Sequence, residues 1–370
     1  MKKAAIVQFE AVHEEVIPSI DFYLKSVGYN TGSYLNRNIY KRKGDFFRDA
    51  GFEEINYSYV TIEKGSDWAE LMETVKADEG LELLVLNTFQ RKSVVNWSLN
   101  FDIPVIGIVH NPLLFLAIPD IKNILKANRN IYLLGLAPHV ASYLIANVPF
   151  MQDRVGFVDP IVWEDSSRED KIRVIDEGNT KRALSIPGSV NFKNRDYAAL
   201  IEQVHLAKLR GMSSKNIGIR FLGGGKDRAD LIDLIQDKGV NDFFDFSEVN
   251  EQGFVPYDVY LSDLKNSSFL LPMFKTSDIA YRTYKISSVI SSAVGNSIPL
   301  LEDSWTNIVY QTSGIVYNTS LLADKLLEIS LLSEEVYLEL CNQAKETKYN
   351  WIKRSIAQLE QATSYFESKD

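Results

Sequence analysis

The sequence is almost without cysteine and has no long apolar run. Its 370 residues include a single cysteine, Cys341, which excludes a disulfide within the chain and favours a reducing compartment. No stretch approaches the roughly 18 consecutive apolar residues that a membrane-spanning helix needs. In the opening MKKAAIVQFEAV, Gln8 and Glu10 interrupt the apolar run too early for a signal peptide. We therefore expect a cytoplasmic protein, and peripheral contact with the inner face of the membrane is left open.

The chain also lacks an excess of positive charge and any recognisable metal-binding motif. It has 40 Lys and Arg residues against 49 Asp and Glu residues, a formal net charge of -9, which argues against a nucleic-acid partner. The motifs CxxC, HExxH and DxD are absent. We therefore expect neither nucleic acid nor a bound metal.

The sequence does contain a regular alternation of short, mostly apolar runs with helical patterns. In the first half, this alternation predicts a parallel sheet whose two faces are covered by helices. The predicted strands are residues 4–9, 55–62, 82–88, 104–110 and 131–136, and the predicted helices are residues 16–28, 66–80, 94–101 and 119–130.

The alternation stops over a charged segment and then restarts. We predict an N-terminal domain at 1–160, a linker at 161–180 and a C-terminal domain at 181–345. A long helical pattern begins at Glu334, and its last part, 346–370, is predicted to return to the N-terminal domain. In the second half the predicted strands are 182–190, 217–225, 243–248, 268–274 and 297–303, and the predicted helices lie near 195–211, 226–239, 257–266, 284–296 and 319–330.

Four segments of the second half follow one another in a recognisable order: SIPGSVNFKNRDY, IRFLGGG, VPYDVYLSDLKNSSFLLPMF and YRTYKISSVISSAVGNSIPLLED. This ordered set resembles the GT-B glycosyltransferases, and within them the family-4-like group, and the resemblance covers nearly the whole chain. It implies an α/β fold of two Rossmann-like, doubly wound domains that face a cleft, with the C-terminal helix crossing back. It also implies a nucleotide-sugar donor held by the C-terminal domain, an acceptor held by the N-terminal domain, and no cofactor.

The stretch YRTYKISSVISSAVGNSIPLL, residues 281–301, is the first candidate binding segment. Arg282 and Lys285 lie three positions apart, with Tyr284 between them and Ser287 after them. Free N–H groups at a helix start, together with nearby cations, suit a diphosphate. The alternative is an ordinary buried helix with a solvated basic first turn. The position in the second α/β domain favours the diphosphate interpretation.

A second basic cluster follows the first predicted strand of the C-terminal half. Gly188 lets backbone approach a ligand closely, and Lys193 and Arg195 follow within one loop, where related enzymes hold the diphosphate. A plain strand-to-helix loop explains the same residues equally well. Tyr257, in the segment FVPY, is assigned to the border of the nucleotide base. The glycines at 223–225 lack the spacing of a P-loop and predict a flexible turn near the nucleoside.

One departure from the family pattern concerns acidic residues. Many family-4-like enzymes carry a pair of glutamates around the small-residue helix, and the second touches the ribose. Here the second position falls at Ser291 or Ser292, and Asp278 and Glu302 are the substitutes that the sequence offers. Retention or inversion of stereochemistry therefore stays open.

The histidines of the first half are candidates for acid–base chemistry. His13, Glu14 and Glu15 lie between the first strand and the first helix, and His110 ends a strand at its carboxyl edge, where we expect its side chain to be exposed. An inverting transferase needs a base that deprotonates the acceptor hydroxyl, and His or a carboxylate can serve. Favourable contact with a helix dipole explains Glu14 equally well but does not explain His13.

The segment NRNIYKRKGDFFRDAG, residues 36–51, mixes cations with aromatic residues. Such a surface suits anionic lipid headgroups or a phosphate-bearing acceptor, and a solvated helix face explains it as well. Together the features predict a metal-independent glycosyltransferase that acts on a glycan or lipid-linked acceptor in bacterial surface polysaccharide or glycoprotein glycan synthesis. The alternatives are an inactive acceptor-binding subunit of a glycosyltransferase complex and, more weakly, a nucleotide-sugar epimerase. Self-association of the chain is left open.

Overall fold

The computed structural model describes residues 2–63, 65–161 and 181–368. These residues form two compact units. One unit comprises the described residues within 1–165, 280–286 and 350–370, and the other comprises those within 166–279 and 287–349. The predicted linker, 161–180, lies outside the described residues except for its first position. No helix of the described part of the chain is long and apolar enough to cross a membrane.

The strands of both units are short and every strand pairing within the two sheets is parallel. The described strands are β1 (Lys2–Gln8), β2 (Tyr29–Asn36), β3 (Tyr57–Val60), β4 (Leu81–Leu86), β5 (Val105–Val109), β6 (Ile131–Gly135), β7 (Val155–Phe157), β8 (Arg182–Ile186), β9 (Ile217–Phe221), β10 (Phe244–Phe246), β11 (Phe269–Leu270), β12 (Leu300–Asp303) and β13 (Gly314–Tyr317).

Helices connect most of these strands, as parallel pairing requires. The described helices are α1 (Ile17–Ser26), α2 (Arg37–Lys43), α3 (Phe46–Asp49), α4 (Gly65–Lys76), α5 (Lys92–Ser98), α6 (Pro112–Leu116), α7 (Ile121–Ala127), α8 (Pro138–Asn147), α9 (Tyr197–Leu209), α10 (Arg228–Asp237), α11 (Tyr257–Lys265), α12 (Ala280–Thr283), α13 (Ser288–Gly295), α14 (Ser304–Tyr310), α15 (Leu322–Ser330) and α16 (Glu334–Glu367).

The strand order of each sheet confirms the doubly wound α/β class. The first sheet has the order β3-β2-β1-β4-β5-β6-β7, and the second has the order β10-β9-β8-β11-β12-β13. In each sheet the first strand lies in the middle and the next two strands extend the sheet to one edge. The remaining strands then form the other side of the sheet. The order therefore reverses between β1 and β4 in the first sheet and between β8 and β11 in the second. Such reversal points open a crevice at the carboxyl ends of the strands, where doubly wound proteins bind ligands.

The long final helix α16 is divided between the two units. Its residues up to 349 belong to the second unit, and those from 350 belong to the first. The first unit is attached to this helix through Asp159, whose side chain is completely buried. Its carboxylate accepts hydrogen bonds from Arg354 Nε and Nη2 at 2.7 and 2.8 Å and from Ser355 Oγ at 3.1 Å. Burial raises the pKa of Asp159, although Arg354 and Ser355 act in the opposite direction.

Two local differences from the predicted elements have a physical cause. Strand β2 was not predicted, because its sequence YNTGSYLN is mostly polar and its burial does not follow a simple apolar run. Strand β13 was not predicted either, since its four residues are shorter than the pattern that marks a strand. Glu302 lies inside β12, within the strand predicted at 297–303.

The predicted helix at 284–296 starts later than expected. Ser287 is its N-cap and accepts a hydrogen bond from Val289 N at 3.4 Å, so α13 begins at Ser288. Arg282 lies in the separate short helix α12, and Lys285 lies between the two helices. The expectation that one helix start carries both cations is therefore wrong. Residues 280–286 moreover cluster with the first unit, whereas the sequence had assigned them to the C-terminal domain.

Candidate active site

Two histidines meet at the reversal point of the first sheet. His13 follows β1 and His110 directly follows β5, and their rings lie 4.3 Å apart between centroids at an angle of 30°. The strand between them in the sheet is β4, whose carboxyl end leads into Asn87. Both histidines are candidates from the sequence, and the strand order explains why they come together.

The two histidines differ in exposure and in charge. The side chain of His13 is 38% exposed, whereas His110 is only 9% exposed, so the expectation that His110 is exposed at the strand edge is wrong. Burial, reinforced by repulsion from His13, lowers the pKa of His110 to about 3, which keeps the ring neutral at physiological pH. Its Nε2 lies 2.5 Å from the backbone oxygen of Asn87.

His13 is surrounded by carboxylates. Burial lowers the pKa of His13, but the hydrogen bond with Glu15 and the charges of Glu15, Glu10 and Glu14 outweigh burial and raise the pKa overall. The Nδ1 of His13 lies 3.6 Å from Glu15 Oε1. Environments that move the pKa values of two neighbouring groups apart commonly mark different chemical roles. Here only His13 is poised to take up a proton near neutral pH.

Glu14, the carboxylate chosen from the sequence, is fully buried and is paired with Arg42. The Nη2 of Arg42 lies 3.4 and 3.5 Å from the two carboxylate oxygens of Glu14. The carboxylate next to His13 is that of Glu15. The sequence could not separate these two adjacent glutamates, because the turn at residues 14–16 decides which one faces the histidine.

The basic segment around α2 does not form the predicted cationic-aromatic surface. Phe46 and Phe47 are buried in the first unit, at 2% and 0% exposure. Lys41 is exposed and pairs with Glu63 at 3.2 Å. Of the three aromatic residues in this segment, only Tyr40 is exposed. The segment thus presents cations with a single large aromatic ring.

In the second unit, Gly188 and Arg195 meet at the reversal point between β8 and β11. The Nη2 of Arg195 donates to the Pro187 carbonyl at 2.5 Å, and a Cβ added to Gly188 would lie 2.9 Å from the same nitrogen. Arg195 is 8% exposed and its backbone pairs with Phe274, which follows β11. Lys193 is exposed. Of the predicted basic pair, Arg195 thus braces the loop and Lys193 faces solvent.

The glycines at 223–225 pack directly against the backbone of neighbouring loops. A Cβ on Gly223 would lie 2.0 Å from the oxygen of Gly188, and one on Gly224 would lie 1.8 Å from the oxygen of Gly253. These contacts, rather than flexibility alone, explain why glycines follow β9. They hold the loops after β8 and β9 together at the carboxyl edge of the sheet.

We expect Gly223→Ala to destabilise the second unit by about 2–3 kcal/mol, because its methyl group meets rigid backbone. The matched control is Gly218→Ala in the preceding strand, β9, where the added Cβ meets only the flexible end of Lys181. Urea denaturation of both variants checks the expectation. Equal midpoints for Gly223→Ala and Gly218→Ala would contradict it.

Tyr257 begins α11 and its ring stacks with that of Tyr260, with 6.1 Å between centroids. The hydroxyl of Tyr260 lies 3.3 Å from Ser292 Oγ. Ser292 and Ser291 are both buried in α13. The structure therefore brings Tyr257 and Ser292, one of the two serines at the position where the sequence comparison expected a glutamate, into one cluster through Tyr260.

Glu302, expected from the sequence as a candidate substitute for a ribose-binding glutamate, does not face an open site. It is fully buried, and its Oε1 accepts hydrogen bonds from Asn307 Nδ2 at 3.0 Å and Thr312 Oγ1 at 2.5 Å. Burial raises the pKa of Glu302 to about 7, against the opposing effect of these two donors. A carboxyl group enclosed in this way has no surface to offer a ribose.

Arg282, Tyr284 and Lys285 lie beside α8 in the first unit. The Tyr284 ring is 5.4 Å from that of Tyr143, and His139 donates from Nε2 to the Lys285 carbonyl at 2.9 Å. His139 thus packs against this segment. Ser287, two residues further on, belongs to the second unit. Among the described residues, no group of three or more His, Cys, Asp or Glu side chains could hold a metal ion.

The sequence did not identify Gln8 or Asn87 as site residues. Gln8 ends β1 and Asn87 follows β4, so both are polar residues at the carboxyl ends of neighbouring strands. Such positions could have been flagged from the predicted strands, whereas their contacts depend on the strand order.

No family model and no curated protein matches this chain. Among solved structures, the chain is similar to a glycosyltransferase from Rickettsia africae ESF-5, with 12% identity, a TM-score of 0.65 and coverage of 99% of this chain and 98% of that one. It is also similar to Anabaena HepE in complex with UDP and glucose, with 12% identity, a TM-score of 0.62 and coverage of 98% and 100%. A third similar structure is the UDP-GlcNAc 2-epimerase from Neisseria meningitidis bound to UDP-GlcNAc, with 12% identity, a TM-score of 0.57 and coverage of 98% and 100%. The resemblance to the GT-B glycosyltransferases is thereby confirmed at the level of the fold.

Proposed function

We propose that this GT-B-fold protein is a glycosyltransferase. It transfers a sugar from a nucleoside-diphosphate sugar to a hydroxyl of a glycan or lipid-linked acceptor, in the synthesis of a bacterial surface polysaccharide or glycoprotein glycan. The observation that carries the proposal is the histidine pair at the reversal point of the first sheet, where one ring is neutral and the other is surrounded by carboxylates. The HepE structure, which contains UDP and glucose, supports a UDP-sugar as donor.

In the proposed reaction His13 is the general base. The acceptor hydroxyl loses its proton to His13 as its oxygen bonds to the anomeric carbon of the sugar, and the bond from that carbon to the diphosphate breaks. The diphosphate leaves with the bonding electron pair. His110 stays neutral and packs against His13, so it adds no repulsion to the protonated product state.

The negative charge that develops on the diphosphate needs cations or backbone donors. In the first unit the proposal assigns this role to Arg282 and Lys285, and in the second unit to Lys193 and Arg195, without a metal ion. Tyr284 accompanies the cations of the first unit, Gly188 and Ser287 accompany those of the second, and Tyr257 borders the base. We propose that the protein works in the cytoplasm, at the inner face of the membrane when the acceptor is lipid-linked.

A nucleotide-sugar epimerase is the second candidate, because the Neisseria epimerase has the same fold. Incubation with a UDP-sugar distinguishes the two functions. An epimerase converts the sugar without an acceptor, whereas a transferase releases nucleoside diphosphate and forms a glycoside or, with water, free sugar. An inactive acceptor-binding subunit would do neither.

Donor binding is tested by thermal shift with a panel of UDP-, GDP-, TDP- and CMP-sugars. We expect at least one donor to raise Tm by several degrees at 100 times its Kd, because binding then stabilises the folded state by about 2.7 kcal/mol. Arg282→Ala should remove most of this shift. The control Arg37→Ala changes another arginine of the first unit, on the exposed side of α2. No shift with any donor would contradict the transferase proposal. An unchanged shift in Arg282→Ala would show that the diphosphate does not bind at Arg282.

A further inference from the structure

Two buried amides hold the loop that carries His13. The Nδ2 of Asn87 donates to Gln8 Oε1 at 2.6 Å and to the backbone oxygen of His13 at 2.9 Å. Gln8 in turn donates from Nε2 to the carbonyls of Glu10 and Val12 at 2.8 and 2.5 Å. Both amide side chains are completely buried. Three carbonyls of the loop after β1 are thus fixed by side chains at the carboxyl ends of β1 and β4.

The loop needs such support, because His13 has a left-handed backbone conformation with φ 73° and ψ 19°. For a residue other than glycine this conformation costs roughly 1–2 kcal/mol and persists only where the surroundings impose it. Backbone strain of this kind concentrates at functional sites. The bond from Asn87 to the His13 carbonyl is the contact that holds the strained residue itself.

Asn87 also contacts the second histidine, through its backbone. Its carbonyl oxygen accepts from His110 Nε2 at 2.5 Å. A ring nitrogen that donates to a carbonyl carries a hydrogen, so the neutral His110 is protonated on Nε2 and has its lone pair on Nδ1. One residue therefore determines the backbone of His13 and the tautomer of His110.

We infer that Asn87 is a positioning residue that sets the geometry of the histidine pair. The effect of Asn87 on catalysis rests on the proposed function, whereas its effect on the geometry of the histidine pair does not. The charged groups around the pair are Glu10, Glu14 and Glu15, with Arg91 paired to Glu10 at 2.8 Å and Arg42 paired to Glu14 at 3.4 Å. By fixing the His13 carbonyl, Asn87 keeps the His13 ring between Glu15 and His110.

The tautomer is tested on the unmodified protein by ¹⁵N NMR of labelled histidine. The chain has only 4 histidines, so single substitutions assign the signals. We expect His110 to remain protonated on Nε2 alone from pH 5 to 9 and His13 to titrate with a raised pKa. A His110 ring protonated on Nδ1 alone would overturn the inference, because the Asn87 carbonyl would then have no donor. This measurement needs neither donor nor acceptor.

The positioning role is tested with Asn87→Ala, which removes both N–H donors. We expect the titration midpoint of His13 to fall by at least half a pH unit, as the ring leaves Glu15. We also expect kcat to fall at least tenfold with the donor KM within twofold, since a displaced catalytic group slows the chemical step. The control Thr31→Val removes another buried hydrogen bond of the first unit, between Thr31 and Asp21. It should change neither quantity.

A folded Asn87→Ala protein with an unchanged His13 midpoint and unchanged kcat would overturn the inference. If that variant does not fold, Asn87→Asp keeps the size of the side chain and also removes both donors. Its kcat should fall at least tenfold, and wild-type kcat in folded Asn87→Asp would equally overturn the inference. If wild type has no transferase activity, the proposed function fails, while the tautomer and the His13 midpoint still decide the role of Asn87.

Discussion

Replacement of His13 by alanine is expected to lower kcat by about 10²–10⁴-fold, the usual contribution of a positioned general base. The donor Kd should hardly change, because the diphosphate ligands proposed above do not include His13. Release of nucleoside diphosphate, with water as the acceptor if no better one is known, measures the rate. The control His205→Ala makes the same substitution in α9 of the second unit and should leave kcat within twofold. A His13→Ala enzyme within threefold of wild type would exclude His13 as the base.

The pH dependence of the same reaction gives a second test. A base must be deprotonated to accept a proton, so the rate should fall as the pH drops below the pKa of His13. Since the carboxylates around His13 raise this pKa, the fall should begin at a higher pH than for an ordinary histidine. His110 should not contribute to the profile, because its pKa is lowered to about 3. A rate that is flat from pH 5.5 to 8.5 would contradict the assignment.

Replacement of Arg354 by alanine is expected to destabilise the first unit by about 3–5 kcal/mol. The substitution leaves the Asp159 carboxylate fully buried without its guanidinium partner. The stacking of Arg354 over Trp351, 4.3 Å from guanidinium carbon to ring centroid, is lost as well. Denaturant unfolding measures the change. The control Lys353→Ala removes the adjacent, exposed cation of α16 and should change stability by less than about 0.5 kcal/mol.

A double variant separates the effect of the buried charge of Asp159 from the effect of lost packing of Arg354 on stability. Adding Asp159→Asn to Arg354→Ala removes the stranded charge, so part of the lost stability should return. A loss below 1 kcal/mol in Arg354→Ala would show that Asp159 finds another partner or takes up a proton. A double variant no more stable than Arg354→Ala would assign the loss to packing against Trp351.

The architecture was largely predictable because it depends on local pattern. Near-continuous apolar runs mark β4, β5 and β6, and the pattern that starts at Glu334 coincides with the start of α16. Strand β2 was not predicted, because its sequence is rich in Asn, Thr and Ser. Such a strand is stabilised by pairing with β1 rather than by its own composition.

The candidate site was predictable only in part, since its residues come from separate strands. The sequence selected His13 and His110 from their positions after strands. It could not select Asn87 or Gln8, because an amide becomes informative only when its partners are known. It chose Glu14 over Glu15, and it placed Arg282 and Lys285 on one helix start, where the N-cap Ser287 interrupts the pattern.

The sequence by itself determined the α/β class, the two sheets, the C-terminal helix and the choice of His13 and His110 as candidates. These follow from periodicity and from residue types at strand ends, which are properties of neighbouring positions. Only the tertiary structure decided that β1 and β5 flank β4, that one histidine is buried and the other is surrounded by carboxylates, and that Asn87 contacts both. Burial and pairing of charges depend on residues far apart in the chain, and those are the quantities that separate a neutral His110 from a titrating His13.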